Sequence, residues 1–375
     1  MLKKTKILLV SLLISATSFG SVNAFASEKN TQVTDSIVKI VPTAIEKEPS
    51  YLLEDIGKMS IKEKLKVGDI SVPLFVTFDS QDKALKNISK NPVIQEIQKI
   101  YKYQDISNDN WHDYYEALYN LMDSPSRPTW YTEENIDFNM LSSFFDIYEN
   151  EEKNNEIRSL AMTSIIADNI VDKENLLELL PYNSYIMLSK KLQVQNNIDS
   201  LTRSKYLGMD LDKAISYAAN HATSPNNSEY EVFSKDCTNF ASQILEKGGV
   251  SQEKYNDEKK GWWHTKTNIS FVVVHHHSIS WINADTFARY MGVGYTTESN
   301  ALFSENIQKG DFITYDEGND GDWNHIGFVT DKKSSRTNGY YDYRVAQHTP
   351  NYHKWTSSTD NHWEEIGRLY GRIRR

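Results

Sequence analysis

Residues 233–249 read FSKDCTNFASQILEKGG and contain Cys237, the only cysteine among 375 residues. Asp236 precedes it, and aspartate favours the N-cap of a helix because its carboxylate accepts backbone N–H bonds. Apolar residues then recur at helical spacing, and Gly248-Gly249 is typical of a helix end. The stretch therefore predicts a short amphipathic helix whose first turn carries the cysteine.

This position favours a reactive thiol. The free N–H groups and the dipole of a helix N-terminus stabilise a thiolate and lower its pKa from about 8.5. The same N–H groups can hold a developing oxyanion. A buried, inert cysteine is the alternative, but the neighbours in sequence are serine, lysine, aspartate, threonine and asparagine. We therefore predict that Cys237 is a nucleophile activated by the helix that it begins.

The chain begins with the features of a secretory signal peptide. Three lysines lie within the first six residues, an apolar run covers residues 7–14, and small residues lead to Ala24 and Ala26. The apolar run is too short to cross a bilayer. We expect residues 1–26 to be a signal peptide, cleaved after Ala24 or Ala26. The mature protein would be secreted, extracellular or associated with the cell wall, and not an integral membrane protein.

Charge narrows the choice of partners. Residues 1–26 hold three lysines and no acids, so the mature chain has 41 − 3 = 38 basic residues against 51 acidic ones, a net charge of −13. Such a surface repels phosphate backbones, which makes nucleic acid an unexpected partner. A single cysteine also excludes an intrachain disulfide and leaves the thiol free or paired with another chain.

The texture of the chain changes near residue 205. Residues 27–50 are mostly polar and predict a loose leader. Residues 51–205 carry helical stripes, with one extended segment, SVPLFVTF, and predict a mostly α-helical domain of unknown purpose. Residues 206–375 hold nine of the ten histidines and several β-rich runs, such as DFITY, HIGFVT, YDYRVAQH and IGRLYGRIR. This second half predicts an α+β unit.

A thiol nucleophile needs a base, normally a histidine that the fold brings close. The best candidate is His325 in GDWNHIGFVTD, which opens a predicted strand 88 residues after Cys237. A third group that orients the imidazole would come from the next strand, YRVAQHT, which offers Gln347 and His348. Because successive side chains of a strand point to opposite faces, only one of these two can face His325. The sequence leaves both choices open.

These motifs together resemble the putative amidase domain family, which is built around a D-C-T-N-F-x-S-Q box. The resemblance covers roughly residues 205–375, keeps the motifs in order and does not extend over residues 27–205. Its segments are MDLDKAISYAANHA (209–222), DCTNFASQILEKGG (236–249), SISWINADTFARYMG (278–292), KGDFITYD (309–316), NHIGFVTD (324–331) and VAQHTPNY (345–352).

The resemblance implies a papain-like cysteine peptidase or amidase domain, related to NlpC-type and CHAP enzymes, in which a helix packs on an antiparallel sheet. It implies Cys237 as nucleophile, His325 as base and Gln347 or His348 as the third member. Asp236 and Gln243 would be supporting positions, at the helix cap or near the oxyanion. Such chemistry needs no metal and no other cofactor.

Three other features were weighed for function. His275 and His277 would share a face of a strand, but no cysteine or carboxylate lies near them in sequence. The loop DEGNDGDWN (316–324) half-resembles a calcium loop, yet it lacks the alternating ligand spacing and the distal glutamate, so we expect an acidic hairpin loop and no metal. Trp323 and Tyr230 are the candidates for the wall of a substrate cleft.

The sequence thus predicts a secreted cysteine amidase or peptidase that hydrolyses an amide bond through an acyl-enzyme. The substrate would be cell-wall peptide, that is peptidoglycan, or a protein. One alternative is an exported binding or interaction protein with a vestigial papain-like domain. The other is an acyltransferase, in which an amine replaces water at the same Cys-His site.

Overall fold

The computed structural model describes residues 38–47, 53–122, 128–129, 135–166, 176–177, 179–191, 208–255, 257–269, 272–358, 363 and 368–373. The predicted signal peptide and the first part of the predicted leader, residues 27–37, lie outside this described part of the chain. Among the described helices, none is both long and apolar enough to span a bilayer.

The N-terminal half combines an antiparallel sheet with five described helices. The strands are β1 (Val38–Lys47), β2 (Met59–Val67), β3 (Ile70–Pro73) and β4 (Thr77–Phe78). The sheet runs β1-β2-β3, and β4 pairs with the other end of β2. The helices are α1 (Gln81–Ile88), α2 (Pro92–Tyr101), α3 (Trp111–Met122), α4 (Ile136–Ile166) and α5 (Tyr182–Lys191).

Two expectations for this half need correction. Residues 38–47 were predicted as part of a loose leader, yet they form β1 and pair with β2 from end to end, with one irregularity between Pro42 and Ile45. Residues 59–67 were assigned to a mostly helical domain, yet they form a strand with Met59, Leu65 and Val67 buried. These three lie at odd positions of the strand, a period-2 signal that lysines and glutamates between them obscured.

The C-terminal half begins with α6 (Leu211–His221) and α7 (Cys237–Lys247). Two short hairpins follow, β5 (Glu253–Lys254) with β6 (Gly261–Trp262) and β7 (His264–Ile269) with β8 (Val272–His277). The remaining elements are α8 (Ile279–Ile282), α9 (Ala284–Met291), β9 (Val293–Thr297), α10 (Asn300–Asn306), β10 (Phe312–Asp316), β11 (His325–Thr337), β12 (Tyr340–Gln347), β13 (Tyr352–Trp355) and β14 (Leu369–Ile373).

A six-stranded antiparallel sheet, in the order β13-β12-β11-β10-β14-β9, organises this half. Its two faces bury separate cores because successive side chains alternate. Ile326 and Phe328 of β11 pack toward α7 in one core, and Ile313 and Val329 pack with Trp363 in the other. The predicted α+β class and the predicted strands at residues 311–315, 325–330 and 341–348 are confirmed.

The two halves meet through α4 and the loop of residues 317–324 between β10 and β11. Asn150 and Lys153 of α4 bond to the carboxylates of Asp320 and Asp322 in that loop. The backbone of Tyr182, at the start of α5, donates to the carbonyl of Gly321 at 2.7 Å. The N-terminal half therefore packs directly on the segment that leads into β11.

Gly327 in β11 supplies a close approach that the sheet requires. A Cβ atom at this position would lie 2.7 Å from Cζ2 of Trp363 and 2.9 Å from Cγ1 of Val345. Both side chains are fully buried, so neither has room to move away.

We therefore expect Gly327→Ala to lower the free energy of unfolding by about 1–3 kcal/mol through overpacking. Urea denaturation followed by tryptophan fluorescence would measure the change. Ser335→Ala, on the exposed end of the same strand, is the matched control and should leave stability within about 0.5 kcal/mol of wild type. A Gly327→Ala protein as stable as the control would show that this packing is looser than described.

Candidate active site

The N-terminus of α7 lies at an opening between two strands. The ladder between β11 and β12 is registered from Phe328 and Ala346 onward, so the first residues of β11 have no ladder partner on that side. The backbone N–H of Asp236 donates to Oγ1 of Thr349, just beyond β12, at 2.9 Å. The backbone N–H of Ile326 makes a hydrogen bond with the sulfur of Cys237. The thiol is thus held one residue away from His325.

The Cys237 thiol is buried, with 7% of the residue exposed. Burial raises the pKa of Cys237 above its usual value, and the hydrogen bonds from Ile326 and Thr238 lower it by less. The sequence predicted a pKa lowered by the helix N-terminus, and that prediction is wrong for this buried arrangement. The donors at the helix start are present, but the exclusion of water outweighs them.

His325 opens β11, as predicted, and 5% of the residue is exposed. Its ring stacks on Tyr315 at a centroid distance of 5.1 Å and lies 5.9 Å from the ring of Trp363. Burial lowers the pKa of His325 to about 3, against a hydrogen bond with Gln347 that raises it. Its Nε2 atom has no hydrogen-bond partner among the described residues. The imidazole is therefore neutral, not bonded to the sulfur, and able to accept a proton at Nε2.

Gln347 is the member of the pair that faces His325. Its side chain hydrogen-bonds the imidazole, and its Oε1 also accepts the indole N–H of Trp363 at 2.8 Å. Trp363 and Tyr315 pack in the same core, on one face of the sheet. The His325 ring lies on that face too, because it stacks on Tyr315. Of the two residues that the sequence left open, Gln347 is thus the one that contacts His325.

His348 points to the opposite face, as strand alternation requires. Its Nδ1 bonds to the carboxylate of Asp236, and its Nε2 contacts the carbonyl oxygen of His221 at 2.9 Å. Its ring stacks on Phe240, with centroids 3.9 Å apart and planes at 7°. Both ring nitrogens are occupied by acceptors, so His348 has no free nitrogen for proton transfer.

The supporting residues do other work than the sequence indicated. Asp236 occupies the N-cap of α7, but its carboxylate makes no capping bond and instead binds His348, the side-chain amide of Asn239 and the backbone N–H of Phe233. Gln243 accepts the hydroxyl of Tyr217 at 2.8 Å and so joins α6 to α7. Gln243 lies about 9 Å along the helix from Cys237, too far for an oxyanion contact.

The two aromatic residues predicted to line a cleft belong to the core. Trp323 is 2% exposed and packs edge-on against Tyr182 with centroids 5.6 Å apart. Tyr230 is 4% exposed, and its hydroxyl bonds to Glu246 of α7. Neither lines an open cleft, because both side chains pack in the core between α7 and the six-stranded sheet.

The histidine cluster of β8 forms a cross-strand pair. His264 Nε2 and His275 Nδ1 lie 2.9 Å apart, and the ring of His277 meets Phe233 edge-on. Burial and these neighbouring imidazoles lower the pKa of His264 to about 4. Within the described residues, no three histidine, cysteine or acidic side chains of this hairpin meet at metal-binding distance.

The N-terminal half covers the segments that carry the thiol and the imidazole. Lys235, two residues before Cys237, lies over the ring of Tyr115 of α3 with Nζ 3.6 Å from its centroid. Burial lowers the pKa of this lysine. Asn324, the residue before His325, donates to Oδ1 of Asp146 on α4 at 2.5 Å. Both approaches to the site are therefore held by helices of the other half.

Sequence reasoning missed Thr349, the backbone N–H of Ile326 and the covering residues of α3 and α4. The backbone N–H of Ile326 can bond to the sulfur because the pairing of β11 with β12 begins only at Phe328. A local sequence pattern does not reveal where such a pairing begins. The covering residues belong to a half of the chain that carries no catalytic motif. The segment VAQHTPNY did include Thr349, although the sequence offered no reason to single it out.

Comparisons with known proteins match the C-terminal half of the chain. Residues 208–370 match the model of the family named Putative amidase domain. The uncharacterized protein YhbB of Bacillus subtilis strain 168 is 31% identical over 106 residues, which are 28% of this chain and 32% of that protein. The chain thus spans about a third of the length of the curated relative that it matches. No solved structure is significantly similar to the chain. The C-terminal half, which carries Cys237, His325 and Gln347, is the part that this amidase family model describes.

Proposed function

We propose that the protein is a secreted cysteine amidohydrolase whose nucleophile is Cys237 and whose base is His325. One observation carries the proposal: the sulfur at the start of α7 meets the backbone N–H of Ile326, the residue after a histidine with a free Nε2. The match of residues 208–370 to a family of amidase domains supports amide hydrolysis as the reaction.

The proposed reaction follows from these groups. Nε2 of His325 takes the thiol proton as the sulfur attacks the amide carbonyl carbon, and the carbonyl oxygen becomes an oxyanion. The backbone N–H of Cys237, at the helix start, would stabilise that oxyanion. The imidazolium then donates its proton to the leaving amine, which leaves a thioester. Water, deprotonated by the same imidazole, hydrolyses the thioester, releases the acid and restores the thiol.

Gln347 would be the positioning residue for this histidine. Its carboxamide bonds the imidazole while Trp363 fixes the carboxamide from the other side. A neutral amide orients the ring without adding a charge, so the imidazole can stay neutral and act as a base near neutral pH. His348 instead holds Asp236, and through it the start of α7.

The described arrangement is a closed form of this site. The thiol and the imidazole are both buried and uncharged, and they are not hydrogen-bonded to each other. Turnover requires water and substrate to reach Cys237, which would also restore the stabilising effect of the helix N-terminus on the thiolate. The contacts of Lys235 with Tyr115 and of Asn324 with Asp146 are the ones that must loosen first.

Cell-wall peptide or a protein is the substrate class that we propose, on the basis of the signal-like N-terminus and the NlpC-type resemblance. An exported binding protein with an inactive site would keep an inert thiol even when the cover is loosened. An acyltransferase would give amide products when a primary amine is added to the assay. Mass spectrometry of peptidoglycan fragments, with and without an added amine, distinguishes the three.

We expect Cys237→Ala to abolish hydrolysis, with a loss of at least about 10³-fold, because the thioester cannot form. Since Cys237 is the only cysteine, the same variant should also lose all labelling by iodoacetamide. Ser228→Ala, on the exposed surface, is the control and should retain both. Hydrolysis by the alanine variant at the wild-type rate would rule out the assigned nucleophile.

The cover can be tested through the reactivity of the same thiol. Tyr115→Ala removes the ring beneath Lys235, so we expect iodoacetamide to label Cys237 several-fold faster, with a parallel rise in turnover. Tyr101→Ala removes a partly buried ring of the same half that stacks on Tyr103 instead, and it should leave the labelling rate unchanged. Equal rates in all three proteins would show that the cover does not limit access.

Burial of a neutral His325 also predicts a specific pH dependence of stability. In the folded chain its pKa is about 3, whereas an unfolded chain protonates histidine near about 6.5. As the pH falls below about 6.5, His325 becomes protonated in the unfolded state. In the folded state it stays neutral until the pH approaches about 3. This group therefore lowers the free energy of unfolding by up to about 1.4 kcal/mol per pH unit through that window.

We expect His325→Gln to flatten this slope, measured by urea denaturation at several pH values between about 6.5 and 4. His112→Gln, a substitution at an exposed histidine of α3, should follow the wild-type slope. Superimposable slopes for wild type and His325→Gln would contradict the buried, neutral imidazole.

A further inference from the structure

We propose that Asp146, Asp316 and Asp320 form a calcium site that joins α4 to the loop ahead of His325. Each contributes a carboxylate oxygen, and these three oxygens lie within 4.8 Å of one another. All three residues are buried. Oxygens on opposite sides of a calcium ion, each bonded at 2.3–2.6 Å, are about 5 Å apart, so this spacing fits around one ion.

An independent observation points to a ligand at this cluster. Asn150 lies one helical turn after Asp146, is fully buried, and reaches the cluster because its Nδ2 bonds to the carboxylate of Asp320. Its Oδ1 has no hydrogen-bond partner among the described residues. A buried amide oxygen without a donor loses free energy, and such an oxygen is a common calcium ligand.

Asp146 shows the same deficit. Oδ1 accepts the amide of Asn324, but Oδ2 has no partner among the described residues. A Cβ atom at Gly318 would lie 2.4 Å from Oδ2, so only a glycine lets the loop approach this oxygen so closely. Three carboxylates so close together repel one another, and a bound cation would offset that repulsion.

Lys153 of α4 pairs with two other acids. Its Nζ lies 2.7 Å from Oε1 of Glu149 and bonds to the carboxylate of Asp322. It also attracts Asp146 and Asp320 electrostatically, without a hydrogen bond or ion pair to either of them. Two acids and one lysine leave that group negative as well. The loop and α4 therefore present an excess of negative charge that a divalent cation can balance.

The chemistry favours calcium over other common cations. Every candidate ligand is an oxygen, which excludes the sites that zinc and copper prefer. The ligands come from a loop and a helix that pack together, an arrangement without the regular geometry of a designed octahedral site. Calcium accepts six to eight oxygens in flexible geometry, whereas magnesium demands a near-ideal octahedron and retains several waters.

The sequence of residues 316–324 only half-resembles a calcium loop because the loop supplies only two of the proposed ligands. Asp316 and Asp320 are four residues apart, and backbone N–H groups of Asp320 and Gly321 bind the two oxygens of Asp316 at 2.9 and 2.7 Å. These bonds fix the orientation of the carboxylate in the loop. The remaining ligands, from residues 146 and 150, come from a helix more than 160 residues earlier.

For the test, the full chain is first freed of metal with EDTA and dialysed. It is then compared in three buffers, which contain EDTA, calcium or magnesium. We expect a titration calorimetry signal for one calcium ion per chain and a melting temperature that rises by roughly 3–6 °C in millimolar calcium. Asp146→Asn replaces the unpaired oxygen with an amide that can donate to Asp320. This variant should melt at or above the wild-type temperature in EDTA, yet show no calcium binding and no shift.

Glu156→Gln, an exposed acid on the same helix, is the matched control and should respond to calcium as wild type does. If Asp146→Asn does not fold, Asp320→Asn carries the same test. No calorimetric signal and equal melting temperatures in calcium and EDTA would overturn the proposal. So would an Asp146→Asn protein that keeps the calcium shift. A response to magnesium equal to that to calcium would overturn the assignment of the ion.

Discussion

The contact between the Cys237 sulfur and the backbone N–H of Ile326 is the constraint on which the C-terminal half depends. It brings the start of α7 into the gap where β11 and β12 part, and the residues of the D-C-T-N-F segment serve this placement. Asp236 binds His348, and Asn239 accepts the indole N–H of Trp281 at 2.9 Å. Phe240 stacks on the His348 ring. The D-C-T-N-F segment therefore supplies the thiol and also the contacts that hold the start of α7 in place.

Two opposing effects act on that thiol, and their sizes decide its state. A helix N-terminus stabilises a nearby anion by about 0.3–1 kcal/mol, and by about 2 kcal/mol where it is partly buried. Full burial shifts a pKa by up to about 3–5 units, which is several kcal/mol in the opposite direction. In the closed form burial prevails, and the pKa of Cys237 rises. In the proposed open form the balance would reverse, because the donors would stay in place while the desolvation penalty falls.

The sequence predicted what short-range rules govern. The helix at residues 237–247, the strand that begins at His325 and the opposite orientations of Gln347 and His348 all follow from local periodicity. The family resemblance at residues 205–375 corresponds to the matched span of residues 208–370. The signal peptide lies outside the described residues and stays a prediction.

What failed required long-range information. The pKa of the thiol, the burial of Trp323 and the strand at residues 38–47 depend on packing between segments far apart in the chain. The local sequence of β2, MSIKEKLKV, does not indicate that this strand pairs with residues 38–47. Likewise, the carboxylate of Asp236 was expected to cap its own helix, but a histidine 112 residues later offered a stronger, charge-assisted partner.

The loop of residues 317–324 couples the two halves more tightly than their sequences imply. It begins directly after β10, ends at the residue before His325, and bonds to α4 through the side chains of Asp320 and Asp322. A strand residue cannot move without its neighbour, so a shift of α4 against this loop also displaces the backbone that carries the base. The N-terminal half also contacts Lys235, two residues before Cys237, through the ring of Tyr115 on α3. The neighbours of both catalytic candidates therefore contact the N-terminal helices, and in the proposed mechanism this packing would control the access of water to the site.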